Sequence, residues 1–121
     1  MKEDKYGYFK ILPGNVLYCK WPDGRLELEE VKVIMEIIIE YMMAYGITKY
    51  VDDISACLVD WESADQWIVN DWYPRALAAG GLSNAIIAQP PAHYQVDDGN
   101  FQLRTFYTFQ LAIEWINSRH G

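Results

Sequence analysis

Three of the chain's five tryptophans fall within one stretch, running from Asp60 to Gly80, and no other segment constrains the fold as much. It carries a start signal and a stop signal, and the sequence on either side reads as β-strand. Ser63 or Asp60 can cap the beginning of a helix, where Glu62 and Asp65 place negative charge near the positive end of its dipole. Gly80 and Gly81 follow the last periodic residues, as a left-handed C-terminal cap requires. At about 100° per residue, Trp61, Ala64, Ile68, Trp72 and Ala79 share one arc. Pro74 has no N–H and clashes one turn back, which predicts a kink or break near Tyr73. The Trp61 and Trp72 face is expected to bury its indoles on a sheet. Trp67 points roughly 120° away from Trp61, so it must cover a second apolar surface, line a pocket or meet a partner. Trp67, Trp72, Tyr73 and Arg75 are therefore candidate binding or interface residues.

The rest of the chain falls into place around that helix. Residues 6–12 and 16–21 alternate like strands, and Leu12-Pro13-Gly14-Asn15 places proline and glycine as a type II turn wants them, so a β-hairpin opens the chain. Trp21-Pro22-Asp23-Gly24 makes another turn. A helix covers Leu28 to Tyr45 and closes at Gly46, although no Ser, Thr or Asp stands where its N-cap should be. Its polar residues, Glu29, Lys32, Glu36 and Glu40, form one narrow stripe in which Lys32 and Glu36 can pair. Its apolar arc exceeds the width that packing on one sheet requires, so a neighbouring helix or another subunit must cover the second flank. This makes a homodimer through the helix Leu28–Tyr45 an expectation, with Ile37 and Tyr41 as candidate interface residues. Ile47–Ile54 reads as a buried parallel strand, Leu82–Gln89 as the next, and Ala92–Phe101 as a surface loop. Leu103–Tyr107 reads as the last strand, and Thr108 caps a final helix that buries Ala112, Trp115 and Ile116. The order β-β-α-β-α-β-loop-β-α implies a single α/β domain over residues 1–121, with a hairpin-edged mixed sheet and helices packed on it.

Composition removes several function classes. The formal charge is −7, from 17 acidic and 10 basic residues, and no run of basic residues occurs. A nucleic-acid or anionic-membrane surface is not expected of such a chain. Aromatic residues make up 15% and hydrophobic ones 51%, enough for a sizeable core. Val31–Met43 is too short and too charged to span a bilayer, and the N-terminus lacks an apolar signal segment. Cys19 and Cys57 form no CxxC pair, so free thiols in a reducing cytoplasm are expected.

Asp65-Gln66-Trp67, Asn70-Asp71-Trp72-Tyr73-Pro74-Arg75-Ala76 and Ala79-Gly80 before an apolar strand resemble a group of small uncharacterised bacterial proteins. These are grouped with STAS-like domains, the anti-sigma-factor-antagonist fold, which is related to CRAL-TRIO lipid-binding domains. Phe106-Tyr107-Thr108 leading into Ala112-Ile113-Glu114-Trp115-Ile116 is similar to the group's last strand and helix. The resemblance implies a sheet of about five strands with about three main helices. The acidic, compact composition and the excess apolar helix surface, with no catalytic set, lead to the expectation of a non-enzymatic, regulatory STAS-like module working through contacts with a protein partner. The CRAL-TRIO relationship implies the alternative, an apolar, lipid-like ligand held beside Trp67, Trp72 and methionines.

No catalytic set emerges. Asp52 and Asp53 at a strand's carboxyl end resemble the acidic pair of receiver domains, but consecutive strand side chains face opposite ways and cannot share one metal. One of these carboxylates is expected to cap a loop. His93 and His120 have no acidic or nucleophilic neighbour at catalytic spacing. Neither a metal nor a cofactor is expected. Phosphorylatable STAS domains carry a serine at the start of the helix after the third strand. Ser55 is the counterpart here as a phosphoswitch, but Asp53-Ile54-Ser55-Ala56-Cys57-Leu58 lacks the Asp-Ser-Ser-Gly type pattern and the helix begins several residues later.

Overall fold

A computed structural model of the chain describes residues 3–89, 96–97 and 99–119. Its elements are α1 (Glu3–Tyr6), β1 (Tyr8–Leu12), β2 (Val16–Lys20), β3 (Gly24–Arg25), α2 (Leu28–Tyr45), β4 (Lys49–Asp53) and β5 (Cys57–Leu58). There follow α3 (Trp61–Trp67), a π-helical turn (Ile68–Trp72), α4 (Tyr73–Ala78), β6 (Ser83–Ile87), β7 (Val96–Asp97), β8 (Gln102–Phe106) and α5 (Phe109–Asn117). Six strands make one sheet in the order β1-β2-β4-β6-β8-β7, while β3 and β5 pair separately. The four central strands are parallel, and both edge strands are antiparallel to their neighbours.

Local chemistry accounts for the elements. Gly14 (φ 87°) and Asn15 (φ 61°) turn the β1–β2 hairpin, and the Asn15 side-chain amide then donates to the Tyr45 carbonyl at 3.2 Å. The hairpin turn thus caps the carboxyl end of α2 from outside the helix. At its other end β1 is preceded by Gly7 (φ 100°), where a Cβ would collide with the Lys20 carbonyl. α2 has the predicted bounds and ends in Gly46 at φ 65°. Its start uses Glu27 itself: Glu27 accepts from the backbone of Glu30, whose carboxylate accepts from the Glu27 N–H at 2.9 Å. A glutamate pair has replaced the usual short cap in a reciprocal box.

The sheet separates two apolar layers. On one side α2, α3 and α4 cover Phe9, Leu17, Cys19 and Tyr50. On the other, α5 buries Ala112 and Ile116 against Val16, Val51, Ala85 and Ile87. Most of the wide apolar arc of α2 is occupied within the chain: Val31, Ile34, Met35, Ile37, Ile38, Ile39 and Met42 are buried, while Val33, Met43 and Tyr45 stay exposed. α3 and α4 supply the neighbouring helices on its flank.

Two local expectations need correction, and a third takes a particular form. Lys32 does not pair with Glu36; it lies 3.8 Å from Glu29, and Glu36 reaches across to Arg75. The i, i+4 geometry permitted the first pair, but Arg75 on α4 offers a planar, doubly donating group from the facing helix. The break expected near Tyr73 is present, since α3 stops at Trp67 and α4 starts at Tyr73. The chain widens beforehand into the π turn, in which the Tyr73 N–H donates to the Ile68 carbonyl, and Pro74 starts α4 where no donor is needed. The loop reading of Ala92–Phe101 lies half outside the described residues, yet Val96 and Asp97 are a short strand paired with Leu103 and Gln102.

Candidate functional site

The carboxyl ends of the parallel strands bring Asp52 and Asp53 to the region where open α/β sheets place their ligands. The pleat sends the two side chains to opposite faces. Asp52 is buried under α2 and α3, only 5% exposed. It accepts from the Trp21 indole at 3.0 Å, from the Asn84 amide at 3.1 Å and from the Cys19 thiol. Burial pushes its carboxyl up to about 6, and the three donors pull back against that rise. The same burial, with Asp52 beside them, drives the Cys19 thiol and the Tyr50 phenol well above their usual values.

Asp53 occupies the other face. Its Oδ2 accepts from the Tyr18 hydroxyl at 3.1 Å, and its Oδ1 accepts from the Ser55 N–H at 3.1 Å and the Ser55 Oγ at 2.6 Å. This is the loop-capping carboxylate, an Asx-type turn that reverses the chain after β4. Partial burial and the adjacent Asp53 raise the Tyr18 phenol far beyond physiological pH, so it remains a donor. Ser55 is exposed, and α3 begins only at Trp61, after β5 has intervened.

The tryptophan segment assembles as a helix-to-helix joint. Asp60 caps α3 by accepting from the Ser63 N–H. Trp61 packs on Trp21 with ring centres 5.7 Å apart, and Trp72 meets Tyr50 of β4 at 6.3 Å. Trp72 is 2% exposed and donates its indole N–H to the Met35 carbonyl at 2.8 Å. Trp67 is half-buried, with the Lys32 ammonium 5.6 Å from its ring centre. Tyr73 meets Phe101 edge to face at 5.1 Å. Arg75 clamps Glu36 at 2.6 Å and Asp71 at 3.0 Å. Trp67, Trp72, Tyr73 and Ile37 thus join one apolar cluster, with Trp72 and Ile37 wholly inside it, and Arg75 bridges its rim.

A second feature, not singled out in the sequence, is the free edge of the sheet. Among the described residues β1 has a strand partner on one side only. On the α5 side of this edge, Tyr8, Tyr18 and Phe109 form a chain of edge-to-face contacts at 6.5 and 5.4 Å. Tyr8 and Phe109 remain 40% and 44% exposed. On the α2 side Phe9 stacks on Tyr41 at 5.8 Å, and Tyr41 stacks on Tyr45 at 5.7 Å. The alternation of Tyr8, Lys10 and Leu12 was the available signal. It could not reveal that Phe109, a hundred residues later, would close the aromatic row.

No family model matches the chain, and no curated protein is similar to it at a significant level. A solved structure is similar over nearly the whole length of both chains: an uncharacterised protein of the DUF3478 family from Shewanella loihica PV-4, described as having a SpoIIAA-like fold. The TM-score is 0.52 and the identity 14%, with 96% of this chain and 98% of that one covered. The fold is therefore STAS-like, as the sequence resemblance implies. Among the described residues no helix is long and apolar enough to cross a membrane.

Proposed function

We propose that this STAS-like chain is a module that acts through contacts with another protein, and that the β1 edge is its contact surface. The observation that carries the reading is the pair of aromatic rows flanking that edge, Tyr8–Tyr18–Phe109 on one face and Phe9–Tyr41–Tyr45 on the other. Tyrosine and phenylalanine present large rigid area at small entropic cost and are enriched in interface centres, while Lys10 and Lys20 supply a polar rim. The helix-covered side of the sheet supports this use of the edge, because Ile37 and Trp72 are already committed to the core. Tyr41, one of the interface candidates read from the sequence, belongs to the edge surface through its stack on Phe9.

Native mass spectrometry on the complex taken from its own cells tests the reading. A second polypeptide bound to the wild-type chain, and lost from a Tyr8→Ala/Phe109→Ala double variant, is the expected result. A chain that emerges alone, or with a stoichiometric small molecule, defeats it.

A further inference from the structure

We infer that β1 accepts, as an added strand, an extended segment of the partner protein in which apolar residues alternate with acidic ones. The inference rests on the protein-contact reading and names the chemistry of the partner. β1 is five residues long, roughly 17 Å of extended chain. A strand laid beside it would run about 4.8 Å away, with its side chains alternating between the two faces in step with those of β1.

The two faces ask for different residues. On the α2 side, a side chain opposite Phe9 or Ile11 lies beside the stacked rings of Tyr41 and Tyr45, an apolar ledge already in place. On the α5 side, the residue opposite the middle of β1 meets Lys10, which is exposed. Lys20 lies on this face too, with its ammonium 3.8 Å from Asp23. The carboxylate nearest on the inner strands is Asp53, and it is taken up by Tyr18 and Ser55. An incoming glutamate or aspartate opposite Lys10 therefore finds a cation, flanked by Tyr8 and Leu12. Opposite charges directly across a strand pair attract, and like charges repel.

The same lysine disfavours a second copy of this chain as the occupant. Lys10 is the central residue of β1, so a two-fold antiparallel pairing of β1 with itself would set two ammoniums face to face. A lysine on a free edge also serves simply to repel other edges, and the experiment separates that role from recognition.

The probe is a short end-capped peptide alternating valine and glutamate, fluorescein-labelled, titrated with the full chain by anisotropy. Saturable binding is expected, weakened roughly tenfold by Lys10→Glu. A valine–lysine peptide should show the reverse preference, binding Lys10→Glu better than the wild type. Methylating the edge-facing amide nitrogens of the peptide should abolish binding. The inference is overturned by no saturable binding at millimolar peptide, by an affinity unmoved in Lys10→Glu, or by full binding of the methylated peptide. A wild-type dimer whose β1 amides are protected from hydrogen exchange also overturns it, in favour of self-pairing. The partner complex keeps the two readings apart. A native partner retained by Lys10→Glu defeats the strand inference and leaves the protein-contact reading standing; a wild-type chain found alone removes both.

Discussion

Asp52 and Asp53 are adjacent in the chain, yet the sheet between them gives each a different chemistry. On the α2 side, Asp52 sits among Trp21, Asn84 and Cys19, all neutral donors, in a layer closed by helices. On the α5 side, Asp53 holds a turn at the margin of a layer that a single helix covers. The face closed by three helices buries its carboxylate among donors, whereas the face under one helix leaves its carboxylate partly exposed in a turn. A carboxylate without a cation is a costly core residue. It is tolerated here because three neutral donors, the Trp21 indole, the Asn84 amide and the Cys19 thiol, converge on it.

The largest expected effect comes from opening the closed face. Trp72→Ala removes a buried indole together with its hydrogen bond to the Met35 carbonyl, and should cost about 3–5 kcal/mol in urea unfolding. A loss below about 1 kcal/mol would mean that the α2–α4 joint is not a core. Next comes the proton linkage of Asp52. Its folded value, about 6, lies above the ordinary 3.8, so its contribution is fully present below pH 4 and is lost as pH rises through 6. The shift corresponds to on the order of 3 kcal/mol, and Asp52→Asn should flatten the fall in stability between pH 4 and 7. An unchanged pH profile in that variant would place the titration elsewhere.

The open face should respond more mildly. Tyr18→Phe deletes the hydroxyl on Asp53 and should cost about 1 kcal/mol or less, with little change in the pH profile. The smallest stability effect is expected for Lys10→Val, within about 0.5 kcal/mol, because the side chain is exposed. That variant sharpens the comparison in another way. With the charge gone, the free edge should pair with other copies, and light scattering should show concentration-dependent association absent from the wild type.

Much of the architecture was legible. Gly46 and Gly80 marked helix ends, Thr108 marked a helix start, and the strand periods located all four parallel strands to within a residue or two. These signals are local: each depends on what one backbone position tolerates. The π turn was hidden because Pro74 announces only a missing donor, and whether the helix answers by kinking or widening depends on what must pack, here Trp72 against Tyr50. The partner of Glu36 was hidden for a similar reason, since Arg75 lies on another helix.

The candidate site divides along the same line. The sequence by itself determined that Asp52 and Asp53 face apart, that Trp72 is a core indole candidate and that α2 is too apolar for one sheet, because strand and helix periods are properties of the backbone. Only the tertiary structure decided that α3 and α4 fill the second flank of α2, that Cys19, Trp21 and Asn84 converge on one carboxylate, and that Phe109 completes an aromatic row begun at Tyr8. Those choices depend on strand order and register, which bring together residues thirty to a hundred positions apart, and no local pattern in the chain encodes that distance.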